Sequence, residues 1–390
     1  MRPILTLPVL LGFALLPALS LLLTVQQGGV LALLSVGQVF EPRALPALAA
    51  LAPPANSTYG YDGQFYAQIA LDPTLSDPAL VPAIDNVAYR ARRIALPALA
   101  WLLGAGQSAW VIHAYALLNT VFWLLLAVCL LRHVHWQLNL RSLALLVACL
   151  WTAGTLVSLE RALTDLPAAA LGVLAVTWLA RSRGLPWLLS LAALTKETSM
   201  LSVVAAWQQR RYGGALWQLP LILFVPVGLW FLFLMVRFGS EGASSGFGNF
   251  TWPGQTILAK LQLELPALMA RLPEPADFRA WPGFVAEALE TVALLSLIVQ
   301  SVFLLTHRRW QDPVWGLGIG FALMLWVLGP AVMVEYQAYT RVLLPLTLAF
   351  NLLLWARGRG SDWIWWVFGN LGLSVAAVML LLRLPPLLGN

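Results

Sequence analysis

The sequence has few charged residues. Asp, Glu, Lys and Arg together make up 10% of its 390 residues, whereas 60% are hydrophobic. A soluble globular domain carries about 25% charged residues. The shortage of charge therefore excludes an ordinary soluble domain and indicates a protein embedded in a membrane.

Cysteine and histidine are also scarce. The two cysteines, Cys129 and Cys149, lie inside apolar runs without a metal-binding spacing, which excludes a disulfide framework. The four histidines are spread over separate segments and form no ligand set. No nucleophile motif, phosphate-binding loop or dinucleotide fingerprint is present.

The formal net charge of +6 raises the question of a nucleic-acid partner. The basic residues, however, stand singly or in pairs at the ends of apolar runs. Membrane topology explains that placement better than nucleic-acid binding does. We therefore expect membrane lipids, and no nucleic acid, as partners.

Long apolar runs predict an all-α polytopic membrane protein with about eleven transmembrane helices, since ~17–25 apolar residues suffice to span a bilayer. The run 184–209 is interrupted by Lys196 and Glu197, and one straight helix would bury this ion pair at the middle of the bilayer. We therefore predict two short helices that meet at Lys196. The remaining predicted spans are 4–25, 109–131, 142–159, 165–180, 214–237, 286–306, 314–334, 342–356 and 363–383.

Charge asymmetry predicts the orientation, because cytoplasmic loops carry an excess of Lys and Arg. One side has only two acids, Asp312 and Asp362. Its basic residues are Arg2, Arg132, Arg141, Arg181, Arg183, Arg210, Arg211, Arg308, Arg309, Arg357 and Arg359. We therefore expect a multi-pass protein of the inner (cytoplasmic) membrane whose active face points outward.

This topology treats residues 1–390 as one integral membrane domain with two long outer loops. The first loop, 26–108, is predicted to contain juxtamembrane helices and to carry the functional segment. The second loop, 238–285, is rich in Gly, Ser and Pro. Its stretch 257–272 is predicted to form an amphipathic helix on the membrane surface.

The first outer loop contains a polar, aromatic segment at 61–73, YDGQFYAQIALDP. Gly60 and Gly63 allow a tight turn into a helix that Asp72 and Pro73 would end. Asp62 is either the N-cap of this helix or a carboxylate that takes part in chemistry.

Three arginines, Arg90, Arg92 and Arg93, follow in the same predicted outer loop. Their position runs against the charge rule for outer loops. Guanidinium groups bind phosphate oxygens in a planar forked geometry, which indicates an external phosphate ligand. The alternative is a solvated basic end of the loop.

Four further residues are candidates at the predicted outer ends of helices. Asp165 stands where a helix begins, so a capping role and a functional role are both open. Lys196 and Glu197 lie at membrane depth, where ionisable residues are costly and usually functional, although they could also pair with each other structurally. Arg341 lies in the outer turn before the tenth span.

These residues together resemble the GT-C superfamily of membrane glycosyltransferases. More narrowly, they resemble bacterial membrane proteins with a YDGQFYxQIAxDP segment and a following DNxAYRxxRIxxPxLAxLL segment, here 61–73 and 85–103. The start of the helix at Asp165 and the LTKET turn at 194–198 also look like features of that superfamily. The resemblance covers the first ~210 residues well and the rest only by its pattern of spans.

The resemblance implies an outer-face enzyme that moves a sugar from a polyisoprenyl-phosphate carrier to a cell-envelope glycan or lipid acceptor. Asp62 would be the general base, and Asp165 a second acid that orients the acceptor or a metal. Many relatives have two adjacent acids where this chain has Tyr61 and Asp62. A divalent cation such as Mg²⁺ or Mn²⁺ therefore stays open, because no clear ligand set supports it.

The remaining candidates would bind substrate in an inverting displacement with an Asp base. The leaving lipid phosphate needs fixed cations, for which Arg90, Arg93 and Lys196 are the first choices and Arg92 and Arg341 the next. The other candidates for substrate binding are Tyr61, Gln64, Tyr66 and Glu197. Other functions stay open: a transporter or flippase of lipid-linked sugars, a polysaccharide polymerase or ligase, and a non-catalytic assembly protein.

Overall fold

The structure of the protein is a computed structural model that describes residues 28–55, 57–135, 137, 139–180, 182–207, 218–239, 247–272 and 281–381. The first predicted span, 4–25, lies outside the described residues. So do Arg2, Arg181, Arg210 and Arg211.

Every regular element of the described residues is helical, as the composition predicts. Short helices occupy the region of the first predicted outer loop: α1 (Pro46–Ala49), α2 (Gly63–Leu71), α3 (Leu80–Ala83), α4 (Val87–Arg90) and α5 (Ala95–Leu103). The middle of the chain forms α6 (Ser108–His133), α7 (Leu140–Leu150), α8 (Ala153–Glu160), α9 (Asp165–Trp178), α10 (Leu185–Thr195), α11 (Val203–Trp207) and α12 (Gln218–Phe238). The last part forms α13 (Gln255–Ala270), α14 (Trp281–Thr306), α15 (Pro313–Val327), α16 (Pro330–Met333), α17 (Tyr336–Val342), α18 (Leu344–Arg357), α19 (Asp362–Gly369) and α20 (Gly372–Leu381).

Between three and six elements of the described chain are long and apolar enough to cross a membrane. Helices α6, α12 and α14 qualify singly. Three bent pairs qualify if each is one span: α7–α8 bent by 48°, α17–α18 by 58° and α19–α20 by 43°. Helices α9, α10 and α15 are apolar but shorter, with at most 15 residues. A helix of that length rises ~22 Å, less than the ~30 Å hydrocarbon core.

Helix α9 lies at the centre of the helical packing. It contacts α6, α8, α10, α15, α17 and α18. Its first nine residues, starting with Asp165, are all buried. Gly172 lets α15 come close, because a Cβ at that position would lie 2.8 Å from Leu317. The N-terminus of α9 is thereby held inside the protein, together with the carboxylate of Asp165.

The helical run that contains Lys196 is interrupted as the sequence predicts. Helix α10 ends at Thr195, Lys196 adopts an extended backbone, and a 3-10 helix follows at Glu197–Ser202. The interruption places Lys196 against Asp165 at the N-terminus of α9 and Glu197 against Arg93.

Candidate active site

Five segments that are distant in the sequence meet beside the N-terminus of α9. They are the start of α2, the end of α4 with the 3-10 turn Ala91–Arg93, the start of α9, the interruption after α10, and α17. Each contributes at least one ionisable side chain. The site therefore joins the first predicted outer loop to the last third of the chain.

Asp62 stands at the N-cap position of α2, but its side chain caps no backbone N–H. Its Oδ1 instead lies 2.9 Å from Nη1 of Arg90, and its Oδ2 lies 3.6 Å from Nη2 of Arg341. The tight turn relies on Gly60, whose φ is +68°. Gly63 packs so closely that a Cβ there would lie 2.3 Å from the carbonyl oxygen of Arg161. The side chain of Asp62 therefore does not cap the helix.

The surroundings keep Asp62 ionised. Burial alone raises the pKa of this carboxyl group, but the nearby cations more than offset that effect. Arg90 contributes most, followed by Arg341, Arg93 and Lys196, so the pKa lies below its ordinary value of 3.8. At neutral pH the group is a carboxylate that can accept hydrogen bonds and a proton.

Asp165 is the first residue of α9 and lies deeper than Asp62. Only 1% of its side chain is exposed, against 17% for Asp62. Its Oδ1 accepts a hydrogen bond from Nζ of Lys196, and its Oδ2 accepts one of 3.0 Å from Nη1 of Arg341. Arg341 therefore connects the two aspartates. Asp165 holds Lys196 and Arg341 in place.

Arg93 forms a forked ion pair with Glu197. Its Nε and Nη2 donate to the two carboxylate oxygens at 2.9 and 2.8 Å. It also donates to the hydroxyls of Tyr66 and, at 3.3 Å, Tyr89. Burial raises the pKa of Tyr66 above its ordinary value, despite the opposing charge of Arg93. Its hydroxyl therefore stays neutral and accepts the bond from the arginine.

Arg90 is oriented from a second direction by Asp85. Its Nε and Nη2 donate to the Asp85 carboxylate at 2.9 and 2.6 Å. Asn86 caps the N-terminus of helix α4, because its side chain accepts the N–H of Tyr89 at 2.8 Å. The remaining Nη1 of Arg90 thus points to Asp62 with little freedom.

A cavity of about 250 Å³ connects these groups. Its charged lining consists of Asp62, Glu197, Arg90, Arg93, Lys196 and Arg341. Four cations and two carboxylates line the cavity, and Asp85 and Asp165, outside the lining, balance the remaining charge. The guanidinium and ammonium groups can donate to an anion that takes over part of these contacts. The other flank is apolar and is formed by Met324, Leu328, Ala331, Val332, Ala338 and Val342.

Several candidates from the sequence lie near the cavity without lining it. The ring of Tyr61 lies under two guanidinium groups, 4.2 Å from that of Arg161 and 5.3 Å from that of Arg341. Arg92 lies against the rings of Tyr89 and Phe231, at 5.2 and 5.8 Å. Asp165 and Tyr66 are behind the lining, where they contact its cations.

The side-chain amide of Gln64 bonds to the backbone of the surrounding loops. Its Oε1 accepts the N–H of Gly37 at 3.0 Å, and its Nε2 donates to the carbonyl of Tyr59 at 2.9 Å. Gln68, one turn later, bonds the backbone of Leu45 and Ala83 in the same way. The two glutamines tie α2 to the surrounding loops and so fix the position of Asp62.

The structure adds lining residues that the sequence pattern does not predict. Asn249 and Phe250 come from the second predicted outer loop. They are held there because the carbonyl of Asn249 accepts the N–H of Gly329 at 2.7 Å and Phe250 forms an isolated bridge with Leu328. The surrounding stretch is rich in Gly and Ser and carries no motif that signals this pairing. Tyr89 and Thr198 also line the cavity. Only their position next to Arg90 and Glu197 in the sequence could have indicated this.

The described residues bring no three His, Cys, Asp or Glu side chains together in a way that could hold a metal ion. Both oxygens of Asp62 and of Asp165 already contact cationic side chains. We therefore assign no metal ligands and propose no chemical step that passes through a metal.

Comparisons of the chain with protein families, with curated proteins and with solved structures find no match. The resemblance to GT-C glycosyltransferases therefore rests on the quoted segments alone. The functional interpretation depends on the geometry of the cavity.

Proposed function

We propose that this chain is a membrane glycosyltransferase of the GT-C type. It would transfer a sugar from a polyisoprenyl-phosphate carrier to a cell-envelope glycan or lipid acceptor. One observation carries the proposal: the ionised carboxylate of Asp62 faces a cavity whose lining also includes four cations, the carboxylate of Glu197 and an apolar flank. A base, an anion site and a lipid-compatible wall thus lie within one small space.

The donor fits this lining by chemistry. The phosphate would contact Arg90, Arg93, Lys196 and Arg341, whose side chains are at most 12% exposed. Charge–charge contacts are stronger in such a water-poor site than in bulk water. The polyisoprenyl chain would follow the apolar flank toward the membrane. Arg92 is not part of this proposed clamp, since its guanidinium lies against Phe231.

The proposed reaction is a single inverting displacement. The hydroxyl oxygen of the acceptor forms a bond to the anomeric carbon while the bond from that carbon to the phosphate oxygen breaks. Asp62 accepts the hydroxyl proton, and the bonding electron pair stays on the phosphate. General-base help of this kind contributes ~10²–10⁴-fold. The cations stabilise the charge that develops on the leaving phosphate.

An exchange of ion-pair partners accompanies donor binding in this scheme. In the unliganded protein, Arg90 and Arg341 both contact Asp62. A phosphate that takes over part of these contacts withdraws positive charge from the carboxylate, which makes Asp62 a stronger base. Asp85 and Asp165 keep the two arginines in place during the exchange.

The proposal includes the eleven-span topology with the cavity on the outer side of the inner membrane. The eleven spans are the six candidate spans, the three shorter apolar helices, the second half of the interrupted run and the stretch 4–25. Single cysteines test this orientation in a variant without Cys129 and Cys149. A membrane-impermeant maleimide should label Thr74→Cys, but not Arg359→Cys, in intact cells. Labelling of the second and not the first would reverse the orientation.

The other functions differ in what they require of the charged cluster. A flippase of lipid-linked sugars needs a polar path to the other membrane face. Beyond Asp165, however, α9 continues as an apolar helix. A polymerase or ligase would use the same cavity for a longer chain. A non-catalytic assembly protein would not need the Asp62 carboxylate.

The test is analysis of lipid-linked sugars in a deletion strain complemented with the wild-type gene, Asp62→Asn or Asp77→Asn. We expect one donor to accumulate in the deletion strain and with Asp62→Asn, but not with the wild type. Asp77 is the matched control, because its hydrogen bonds among the described residues are local. Its backbone N–H donates to Asp72, and its Oδ1 accepts the backbone N–H of Ala79. Normal donor levels with Asp62→Asn would reject the assignment of the base. Accumulation of substrate on the inner face alone would favour the flippase.

A further inference from the structure

A second cavity lies at the far end of the bent pair α17–α18, whose helix α17 contributes Arg341 to the candidate active site. It lies where α7 begins, α18 ends and α19 begins. Arg341 lies in α17, whereas Arg357 ends α18 in the same bent pair. Sixteen residues of helix correspond to ~24 Å of rise before the bend is considered. The second cavity is therefore separate from the site that contains Asp62.

The second cavity has an apolar wall of the size that a lipid fragment needs. Its volume is about 470 Å³, within the ~300–1,000 Å³ typical of ligand sites. The apolar lining comprises Leu140, Ala144, Leu145, Leu354, Trp355, Trp363 and Trp366. Leu140 is 83% exposed and Trp363 62% exposed, so the apolar wall continues onto the surface of the protein. Tryptophan is typical of the membrane–water interface.

Two arginines in this lining have no carboxylate partner in the part of the chain that the structure describes. Within the described residues, neither Arg141 nor Arg359 forms an ion pair through its side chain. Arg141 only donates to the carbonyl of Leu354 at 3.4 Å and lies 5.8 Å from the ring of Trp355. Buried Nε1 of Trp366, which also lines the cavity, has no hydrogen-bond partner among the described residues.

Asp362 is the one acid among the described residues of the lining, and it already contacts a cation. Asp362 lies 3.4 Å from Nε of Arg357 through Oδ1, and its Oδ2 accepts the backbone N–H of Arg359 at 2.8 Å. The cavity thus presents two uncompensated positive charges and a free indole donor above an apolar wall. An anion with an attached hydrocarbon chain complements all of these features.

We propose that this second cavity binds an anionic phospholipid. Its phosphate would contact the guanidinium groups of Arg141 and Arg359, and one acyl chain would run along Leu140 and Trp363. A free anion would leave the apolar wall uncovered, and a zwitterionic lipid would leave the positive charge uncompensated. The predicted topology puts the cavity in the cytoplasmic leaflet, where anionic lipids attract basic side chains. This site does not depend on the proposed glycosyl transfer.

Native mass spectrometry of the purified full chain tests the site. The protein is released from mixed micelles that contain equal amounts of phosphatidylglycerol and phosphatidylcholine. We expect one retained phosphatidylglycerol in preference to phosphatidylcholine. The double variant Arg141→Gln and Arg359→Gln should lower this retention by at least about tenfold, since it removes both charge-assisted contacts to the phosphate. The matched control is Arg183→Gln with Arg308→Gln, two exposed arginines of the same predicted side.

A second variant keeps the charge and fills the space. Ala144→Phe should lower phosphatidylglycerol retention while both arginines remain. Equal retention of the two lipids by the wild type, or unchanged retention in both the arginine and the Ala144 variants, would overturn the proposal. Displacement of the lipid by millimolar inorganic phosphate would also overturn it, because it would show a site for a free anion.

Discussion

The two ends of the protein use arginine in different ways. At the candidate active site, Arg90 lies between Asp62 and Asp85, and Arg341 lies between Asp62 and Asp165. At the second cavity, the side chains of Arg141 and Arg359 form no ion pair with any described residue. A cation held between carboxylates is oriented before a ligand arrives, whereas a cation without a carboxylate supplies net charge for one. The same residue type is thus oriented by carboxylates at one end and, among the described residues, has no carboxylate partner at the other.

Burial explains why the first network must be complete. Lys196 and Asp165 expose only 6% and 1% of their side chains. An unpaired charge at such depth costs several kcal/mol, so the chain provides each buried cation with a carboxylate. Arg141 and Arg359 are exposed and do not have this requirement. Four predictions test this contrast and follow in decreasing order of expected size.

Asp165→Asn should have the largest effect on stability. It leaves Lys196 and Arg341 buried without their shared carboxylate, and breaking a buried pair costs ~3–5 kcal/mol. The free energy of unfolding of the purified protein in detergent measures the loss. Addition of Lys196→Met should recover part of it, because the uncompensated cation is then removed. A loss below ~0.5 kcal/mol for Asp165→Asn would contradict the buried network.

Arg90→Gln should weaken donor binding about tenfold or more, because a hydrogen bond to a charged group contributes ~1.5–3 kcal/mol. The KM for the lipid-linked donor is the measurement. Arg92→Gln makes the same change of charge two residues later, where the side chain lies against Phe231, outside the cavity lining. Equal effects of the two variants would show that only the overall charge of the segment matters.

Asp85→Asn should have a smaller effect. Asp85 orients Arg90 but is 36% exposed, and an ion pair of that exposure contributes ~0.2–1 kcal/mol. We expect less than a ~5-fold rise in the KM for the donor, with kcat nearly retained. A large fall in kcat with no change in KM would assign Asp85 a direct part in the reaction instead of an orienting one.

The pH dependence should be the weakest effect. Burial raises the pKa of Asp62, but Arg90, Arg341, Arg93 and Lys196 together outweigh it, so in the unliganded protein the pKa lies below 3.8. The contribution of Asp62 to stability is present above its unfolded pKa and is lost only as the pH falls through the folded one. The ratio kcat/KM for the donor, which reports the unliganded protein, should therefore show no loss from protonation of Asp62 between about pH 5 and 8. An acid limb in that range that Asp62→Asn abolishes would contradict the paired arrangement.

The individual charged residues of the site can be predicted from the sequence. In so apolar a chain each ionisable residue is costly, so Lys196, Glu197 and the arginines of the first loop stand out from their surroundings. The interruption at Lys196 follows from the same reasoning, and the end of α10 at Thr195 agrees with it. The helical character follows from the long apolar runs.

The pairing of these residues could not be predicted. Asp62 and Arg341 lie in distant segments, and only the packing around α9 brings them together. In the sequence, Gln64 looks like a substrate ligand. The sequence does not show that its amide bonds to backbone groups of the surrounding loops. The second cavity combines side chains from three helix ends, each of which has the sequence of an ordinary inner loop. The number of spans is hard to predict for a physical reason, since bends divide apolar runs into pieces too short to count alone.

The proposal that Asp62 is the base is tested most sharply when donor binding and transfer are measured separately with the purified protein. Asp62→Asn keeps the size of the side chain and leaves the four cations in the cavity, so donor binding should remain within about tenfold of the wild type. The transfer rate should fall ~10²–10⁴-fold, as expected for the loss of a general base. A variant that binds the donor and transfers the sugar at the wild-type rate would contradict the proposal that Asp62 is the base.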